Sequence, residues 1–293
     1  MEHPTILFQM HIMWYESEML NETLDSVLNA VQSSKSNVHL KFCLNSQTYI
    51  ESPISGSSEE MFELFMNHKI FELDNVEVIK KTNNDPFYNI GDWRREVYSN
   101  EYKYVVWGES DALVPIDYFW VLDNLHIDDP HIVSLSSRKM WDYTWRPVEH
   151  ELVRDVYCDN IAEKLGLFGC GSYITSDQVN TFNRLLSKIN LVKLKTPKID
   201  GSLLALSANL PTPFIAPKQH FVNEDTCASA FFAIHNIPQF NISTRIKGHN
   251  YNHPKKRTNT EATRNDVVYL KYADESRREM NEFLSNLYNE NNG

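Results

Sequence analysis

A chain of 293 residues that is 42% hydrophobic and 23% charged has the composition of a folded globular protein with room for a large core. Its formal charge of −11 disfavours a broad nonspecific nucleic-acid surface, although a local basic patch can still dock a phosphate backbone. No apolar run reaches about 18 residues, and no basic segment followed by a long apolar one opens the chain, so neither a membrane span nor a secretory signal is expected and the cytoplasm is the expected compartment.

In chain order, Thr5 to Ile12 reads as a buried first strand, and Ser17 to Gln32 as an amphipathic helix with Leu20, Leu24, Val27, Leu28 and Val31 on one face and Ser17 as N-cap. Val38 to Leu44 is a second strand, Gln47 to Ser58 a loop, Glu59 to Met66 a helix and Val76 to Ile79 a third strand. A helical piece from Gly91 to Tyr98 leads into a strand at Tyr104 to Trp107. Beyond Pro115, Asp117 to Leu125, Glu149 to Leu165, Asp177 to Ile189 and Asp274 to Tyr288 read as helices. Ile132 to Leu135, the PFIAP segment at 213–217 and QFNISTRI at 239–246 read as strands. Alternating strands and helices in the first half predict an α/β fold with a mostly parallel central sheet. Cys43, Cys158, Cys170 and Cys227 are widely spaced without zinc-ligand partners, so reduced and mostly buried thiols are expected.

The segment YKYVVWGESDALVP, residues 102–115, ends a hydrophobic run in two acids, Glu109 and Asp111. Side chains two apart project to the same side of extended backbone, which lets this pair converge on one hard cation while Ser110 points away. Mg²⁺ and Mn²⁺ suit such oxygen ligands. The competing reading is an ordinary polar turn after a buried strand.

MWYESEMLNETLDSVLNAV (with Tyr15, Glu16, Leu24 and Ser26), YNIGDWRREVYS (with Gly91, Arg94 and Arg95) and GESDALVP follow one another in an order that resembles the GT-A glycosyltransferases, especially their family 2-like members. Roughly the first 115 residues carry the likeness. The resemblance implies a Rossmann-like sheet flanked by helices in one GT-A-type domain over 1–293, with a nucleotide-sugar-binding half at 1–115 and an acceptor and catalytic half at 116–293. It implies a nucleotide-diphosphate sugar as donor and Mn²⁺ or Mg²⁺ as cofactor, with Asp111 as metal ligand and Glu109 near metal, sugar or ribose. Tyr15, Glu16, Gly91, Arg94 and Arg95 fall on the donor side by the same likeness. Two positions depart from the family: Glu109 stands where aspartate is usual, and LNSQT at 44–48 offers Asn45 or Ser46 where many relatives carry a base-reading aspartate.

HFVNEDTCASAFF, residues 220–232, places Glu224 and Asp225 at a helix start, similar to the family's ED motif, which implies a catalytic base, with Asp225 ahead of Glu224. Helix capping by first-turn acids is the alternative. KGHNYNHPKKR, residues 247–257, gathers His249, His253, Lys255, Lys256 and Arg257; the family likeness implies that one histidine completes the metal site and that the cations face the departing diphosphate, and a solvated basic loop with incidental histidines is the alternative. Trp141, Tyr143 and Trp145 in RKMWDYTWRP form a predicted aromatic loop suited to stacking on an acceptor. Gly169 and Gly171 in LFGCGSYITSD mark a segment where related enzymes bring backbone to the donor sugar.

The function expected is metal-dependent transfer of a sugar to an acceptor hydroxyl, with inversion. The acceptor is a glycan precursor, a protein or a hydroxymethylated DNA base, the last as in phage-type members, which work in the host cytoplasm. The alternatives are a sugar nucleotidyltransferase, which should carry a Gly-rich loop where this chain reads FQMHIMWYE, and a non-catalytic glycan- or nucleotide-binding module.

Overall fold

The structure is a computed structural model that describes residues 5–13, 17–45, 63, 65–81, 90–141, 144–147, 176–184, 188–195, 201–220, 222–249 and 267–292. Its strands are β1 (Ile6–Met13), β2 (Val38–Asn45), β3 (Val76–Lys81), β4 (Tyr104–Glu109), β5 (Ala112–Leu113), β6 (Ile132–Trp141), β7 (Thr144–Pro147), β8 (Leu191–Lys193), β9 (Leu204–Ser207) and β10 (Gln239–His249). The helices are α1 (Ser17–Ser33), α2 (Ile90–Val97), α3 (Tyr118–Asp123), α4 (Ser176–Arg184), α5 (Glu224–Ile234) and α6 (Val267–Asn292).

All ten described strands join one sheet, ordered β3-β2-β1-β4-β9-β6-β10-β5, with β7 added on β6 and β8 on β10. The first four run parallel. β9 is antiparallel to both β4 and β6, which restores the common direction, and β10 continues parallel to β6. The sheet is therefore mostly parallel by strand direction, with β9 reversed in its middle.

Strand β1 shows why the first half folds this way. Ile6, Phe8, Met10 and Ile12 alternate onto the face that packs against Leu20, Leu24, Val27 and Leu28 of α1 and Phe119 of α3. Leu7 points to the other face, where it joins Cys43, Val105 and α2 residues Trp93 and Val97. A strand covered on both faces reads as a continuous apolar run, because neither side meets water. A third cluster continues the α2 face of the sheet: Trp107, Ile132, Leu204 and Leu206 pack on Phe231 and Phe232 of α5, with Phe283 and Leu287 of α6 behind them. Cys43 and Cys227 are buried thiols; Cys158 and Cys170 lie outside the described residues. Among the described residues no helix is long and apolar enough to cross a membrane.

Several expected elements are corrected. PFIAP is no strand but part of an irregular stretch, because Pro211, Pro213 and Pro217 remove the amide donors a sheet ladder needs. The expected aromatic loop is a β-hairpin: β6 runs on to Trp141 and pairs with β7 as Met140↔Trp145 and Trp141↔Thr144. Helix α3 is shorter than expected at six residues, whereas α6 is longer at 26. Strand β9 escaped the periodicity because LALS is a wholly buried run too short to alternate. The helix expected at 149–165 lies outside the described residues, as does most of the one expected at 59–66.

Gly108, in β4, has a packing reason to be glycine: a Cβ there would lie 2.5 Å from Cζ of buried Phe8 and 3.0 Å from the Gln9 carbonyl oxygen. Gly108→Ala is expected to lower unfolding free energy by about 1–3 kcal/mol through overpacking. Urea unfolding followed by tryptophan fluorescence checks the size of the loss.

Candidate active site

The parallel strands deliver their C-terminal ends to one edge of the sheet, the edge at which open α/β sheets bind ligands. Strand β4 ends there at Glu109, and Ser110 and Asp111 form a turn before β5. Because the strand stops at Glu109, alternation does not relate the two acids. Asp111 is 1% exposed and Ser110 2%, so both residues of the turn are buried. Helix α1 holds this turn from below: the Thr23 hydroxyl donates to the Ser110 carbonyl at 2.6 Å, and the Val114 amide donates to Ser26 Oγ at 3.0 Å.

Strand β5 pairs antiparallel with the end of β10, setting His249 opposite Ala112 and Gly248 opposite Leu113. Backbone register thus brings His249 beside the residue that follows Asp111. Among the described residues no three His, Cys, Asp or Glu side chains are grouped as a metal site.

Helix α2 runs into β4 and so begins at the same edge. Its Gly91, Arg94 and Arg95 share one face by i, i+3, i+4 spacing, and that face meets the segment before α5. Gly91 donates its amide to the His220 carbonyl at 3.1 Å, and a Cβ on it would stand 2.4 Å from the Gln219 carbonyl oxygen. Arg95 donates to the carbonyls of Ala216 at 2.7 Å and Gln219 at 2.8 Å and pairs with Asp92. The other side of Asp92 takes the His220 imidazole at 2.9 Å.

Arg94 occupies the centre and is 1% exposed. Its Nη1 donates to Glu224 Oε1 at 2.7 Å, while Nη2 donates to the Gly201 carbonyl at 2.8 Å and stands 3.4 Å from Glu109 Oε1. Its guanidinium carbon lies 4.2 Å from the Trp107 ring centre, at cation–π distance. Gly201 adopts φ +75°, where a Cβ would be strained and would crowd both Glu109 and Arg94. The next carbonyl, Ser202, accepts from the wholly buried Lys247 ammonium.

Glu224 and Asp225 open α5 behind Asn223, which has φ 61° and makes no side-chain cap. They differ in environment. Glu224 is buried, and its carboxyl is pushed up to about 7: burial raises it most, Arg94 opposes that, and Asp225 and Glu109 add to it. Asp225 is partly exposed, with Oδ1 accepting from its neighbour's amide, Thr226 N, at 2.6 Å.

Other expected site residues lie at the margin of the described structure. Asn45 ends β2 at the same edge, and Trp141 and Trp145 face each other's strands in the hairpin register; backbone alone is described for these three and for His249. Tyr15, Glu16, Tyr143, His253 and Lys255 lie outside the described residues, as do Ser46, Gly169 and Gly171. Trp107, Gly201, Ser202 and Lys247 were missed by sequence reading. Only Lys247 left a signal, a cation alternating with Arg245 and His249 along a strand.

No protein-family model matches the chain, and no curated protein sequence does. Solved structures similar to it include GalNAc-T7 with UDP, GalNAc and Mn²⁺ (10% identity, TM-score 0.45, 86% of this chain and 44% of that one). TarS 1–349 of S. aureus is similar at 10% identity and TM-score 0.44, over 94% of this chain and 80% of that one. The apo bifunctional glycosyltransferase WbbM is similar at 10% identity and TM-score 0.37, over 80% of this chain and 35% of that one. The chain thus spans less than half the length of GalNAc-T7 and WbbM. All three TM-scores lie below 0.5, and the reading of the site rests on its own residues.

Glu224 makes stability depend on pH in a definite direction. Its folded pKa of about 7 lies above the ordinary 4.5, so the folded state favours the protonated acid. The resulting penalty is absent below pH 4.5, grows as pH rises and levels off above about 7, at on the order of 3 kcal/mol. Glu224→Gln is expected to lose less stability than the wild type on going from pH 5 to pH 8, against the opposite contribution of His39 and His131, whose pKa values burial lowers and which both proteins keep. Denaturant titrations of both proteins at the two pH values measure it.

Proposed function

We propose that this protein is a metal-dependent GT-A-type glycosyltransferase that moves a sugar from a nucleotide-diphosphate donor to an acceptor hydroxyl with inversion. The observation that carries the reading is one ligand edge where Asp111, beside the His249 end of β10, stands with an acidic helix start anchored through Arg94.

Asp111 and His249 offer a carboxylate and an imidazole, a donor pair that fits Mn²⁺ or Mg²⁺ with water and diphosphate oxygens in the remaining positions. His253 is the other imidazole in reach by sequence, and Glu109 belongs beside the same ion or the donor ribose. When bound, the ion supplies positive charge to the departing diphosphate. Tyr15, Glu16, Asn45 and Lys255 are the donor-side residues carried from the sequence reading, with Gly91 and Arg95 shaping the wall by holding the 216–220 segment.

Asp225 is the base. A base must touch the acceptor, and Asp225 is the partly exposed acid of the pair, whereas Glu224 is turned inward onto Arg94. The acceptor oxygen forms the new bond to the anomeric carbon as the bond to the diphosphate oxygen breaks; the diphosphate leaves with that electron pair and Asp225 takes the acceptor's proton. In-line attack inverts the anomeric centre. Trp141 and Trp145 lie on the paired strands β6 and β7, and with Tyr143 between them in sequence they are the aromatic residues assigned to the acceptor.

A panel of UDP- and GDP-sugars tested by thermal shift with and without Mn²⁺ is expected to give a metal-dependent rise with one nucleotide, of about 2.7 kcal/mol equivalent at a hundredfold excess over Kd. Asp111→Ala should abolish the rise. No rise with any nucleotide, or one unchanged in Asp111→Ala, sinks the reading. Asp225→Asn is expected to keep donor binding and lose roughly 100- to 10,000-fold in transfer rate; an unaffected rate would remove Asp225 from the base role.

A further inference from the structure

We propose that Arg94 is a positioning residue, a buried strut that sets the spacing between the donor-side acid Glu109 and the base-bearing start of α5, and that it does not bind the donor. This inference rests on the transferase reading of the edge, but its geometry stands independently. A guanidinium that binds phosphate must present its N–H groups to the ligand. Arg94 instead lies 1% exposed, with Nη1 on Glu224 and Nη2 on Gly201 and Glu109. Trp107 covers the guanidinium plane at 4.2 Å. Its partners come from three places in the chain, β4, the turn before β9 and α5, which Arg94 ties to α2.

The planar fork matters for this role. Two nitrogens held at a fixed separation keep Glu224 on one side and Glu109 with the Gly201 carbonyl on the other, which a lysine ammonium at a single point cannot do. Glu224 opens α5 and is followed at once by Asp225, so holding Glu224 holds the base relative to the acid beside the donor. Displacing a reacting group by about 1 Å typically costs a hundredfold in rate. Gly201 is shaped for the strut, since a Cβ there would stand 3.3 Å from Nη1 and 3.1 Å from Glu109 Oε1.

Three measurements test the strut. In wild-type protein, the side-chain ¹⁵N signals of Arg94 are expected to keep their positions when UDP or GDP and Mn²⁺ are added at concentrations where calorimetry shows binding; displaced signals overturn the proposal. Absence of any nucleotide binding counts against the transferase reading and leaves the strut to the second measurement, hydrogen exchange in Arg94→Lys. The amides from Cys227, which donates to the Asn223 carbonyl at 2.9 Å, to Phe231 are expected to lose at least roughly tenfold in protection relative to β1 and β2. Unchanged protection overturns the proposal. With a donor in hand, Arg94→Lys should lower kcat by roughly 30-fold or more while donor KM stays within about threefold; a parallel rise in KM would make Arg94 a donor ligand and overturn it.

Discussion

A buried guanidinium is the constraint around which the ligand edge of the sheet is arranged. Arg94 is out of water, and a cation in that position is tolerable only if opposite charge and hydrogen-bond acceptors surround it. Two acids, one carbonyl and one indole ring meet that demand: Glu109 and Trp107 from β4, Gly201 from the turn before β9 and Glu224 from α5. The cation therefore ties α2, β4, the turn before β9 and α5 together. Glu224 is a weaker acid than an ordinary glutamate: burial raises its pKa most, and one guanidinium shared by two carboxylates does not fully offset that.

The sheet topology supplies the second half of the arrangement. Reversal of β9 between β4 and β6 places Gly201 and Ser202, just before its start, at the edge where its parallel neighbours end. That is how two adjacent carbonyls come to meet two buried cations, Arg94 from α2 and Lys247 from β10. On the other side, the Ser110–Asp111 turn is stitched to α1 by Thr23 and Ser26 and continued into β5, whose only described partner is the end of β10. The candidate site at this edge is thus built on regular elements, with short turns fixed at both ends.

Much of the fold was legible because burial leaves a pattern in its strands and helices. The mainly apolar runs at β1 and β4, the alternation that opens β2 with half-buried His39 and Lys41 between Val38, Leu40 and Phe42, and the Leu20, Leu24, Val27, Leu28 stripe of α1 are patterns that periodicity can read. Where that physics is absent the reading failed. PFIAP looked apolar enough for a strand, yet its prolines cannot complete a ladder. LALS was too short to show alternation, although it is a central strand. The aromatic segment RKMWDYTWRP, residues 138–147, reads as a loop because pairing partners within a hairpin are recognised by register, which composition does not display.

The sequence by itself determined the alternation of strands and helices, the parallel first half of the sheet, and the placement of acids at the end of β4 and the start of α5. These are local properties, set by side-chain periodicity and by where a hydrophobic run stops. Only the tertiary structure decided which charges meet. Arg94 and Glu224 are 130 residues apart and Arg94 and Gly201 are 107 apart, and no pattern within a single segment records that a helix, a reversed strand and a second helix converge. It also separated Glu224 from Asp225, adjacent in sequence, into a buried anchor and a partly exposed acid. That division follows from which side of α5 faces Arg94 and the sheet, a choice made by the whole core.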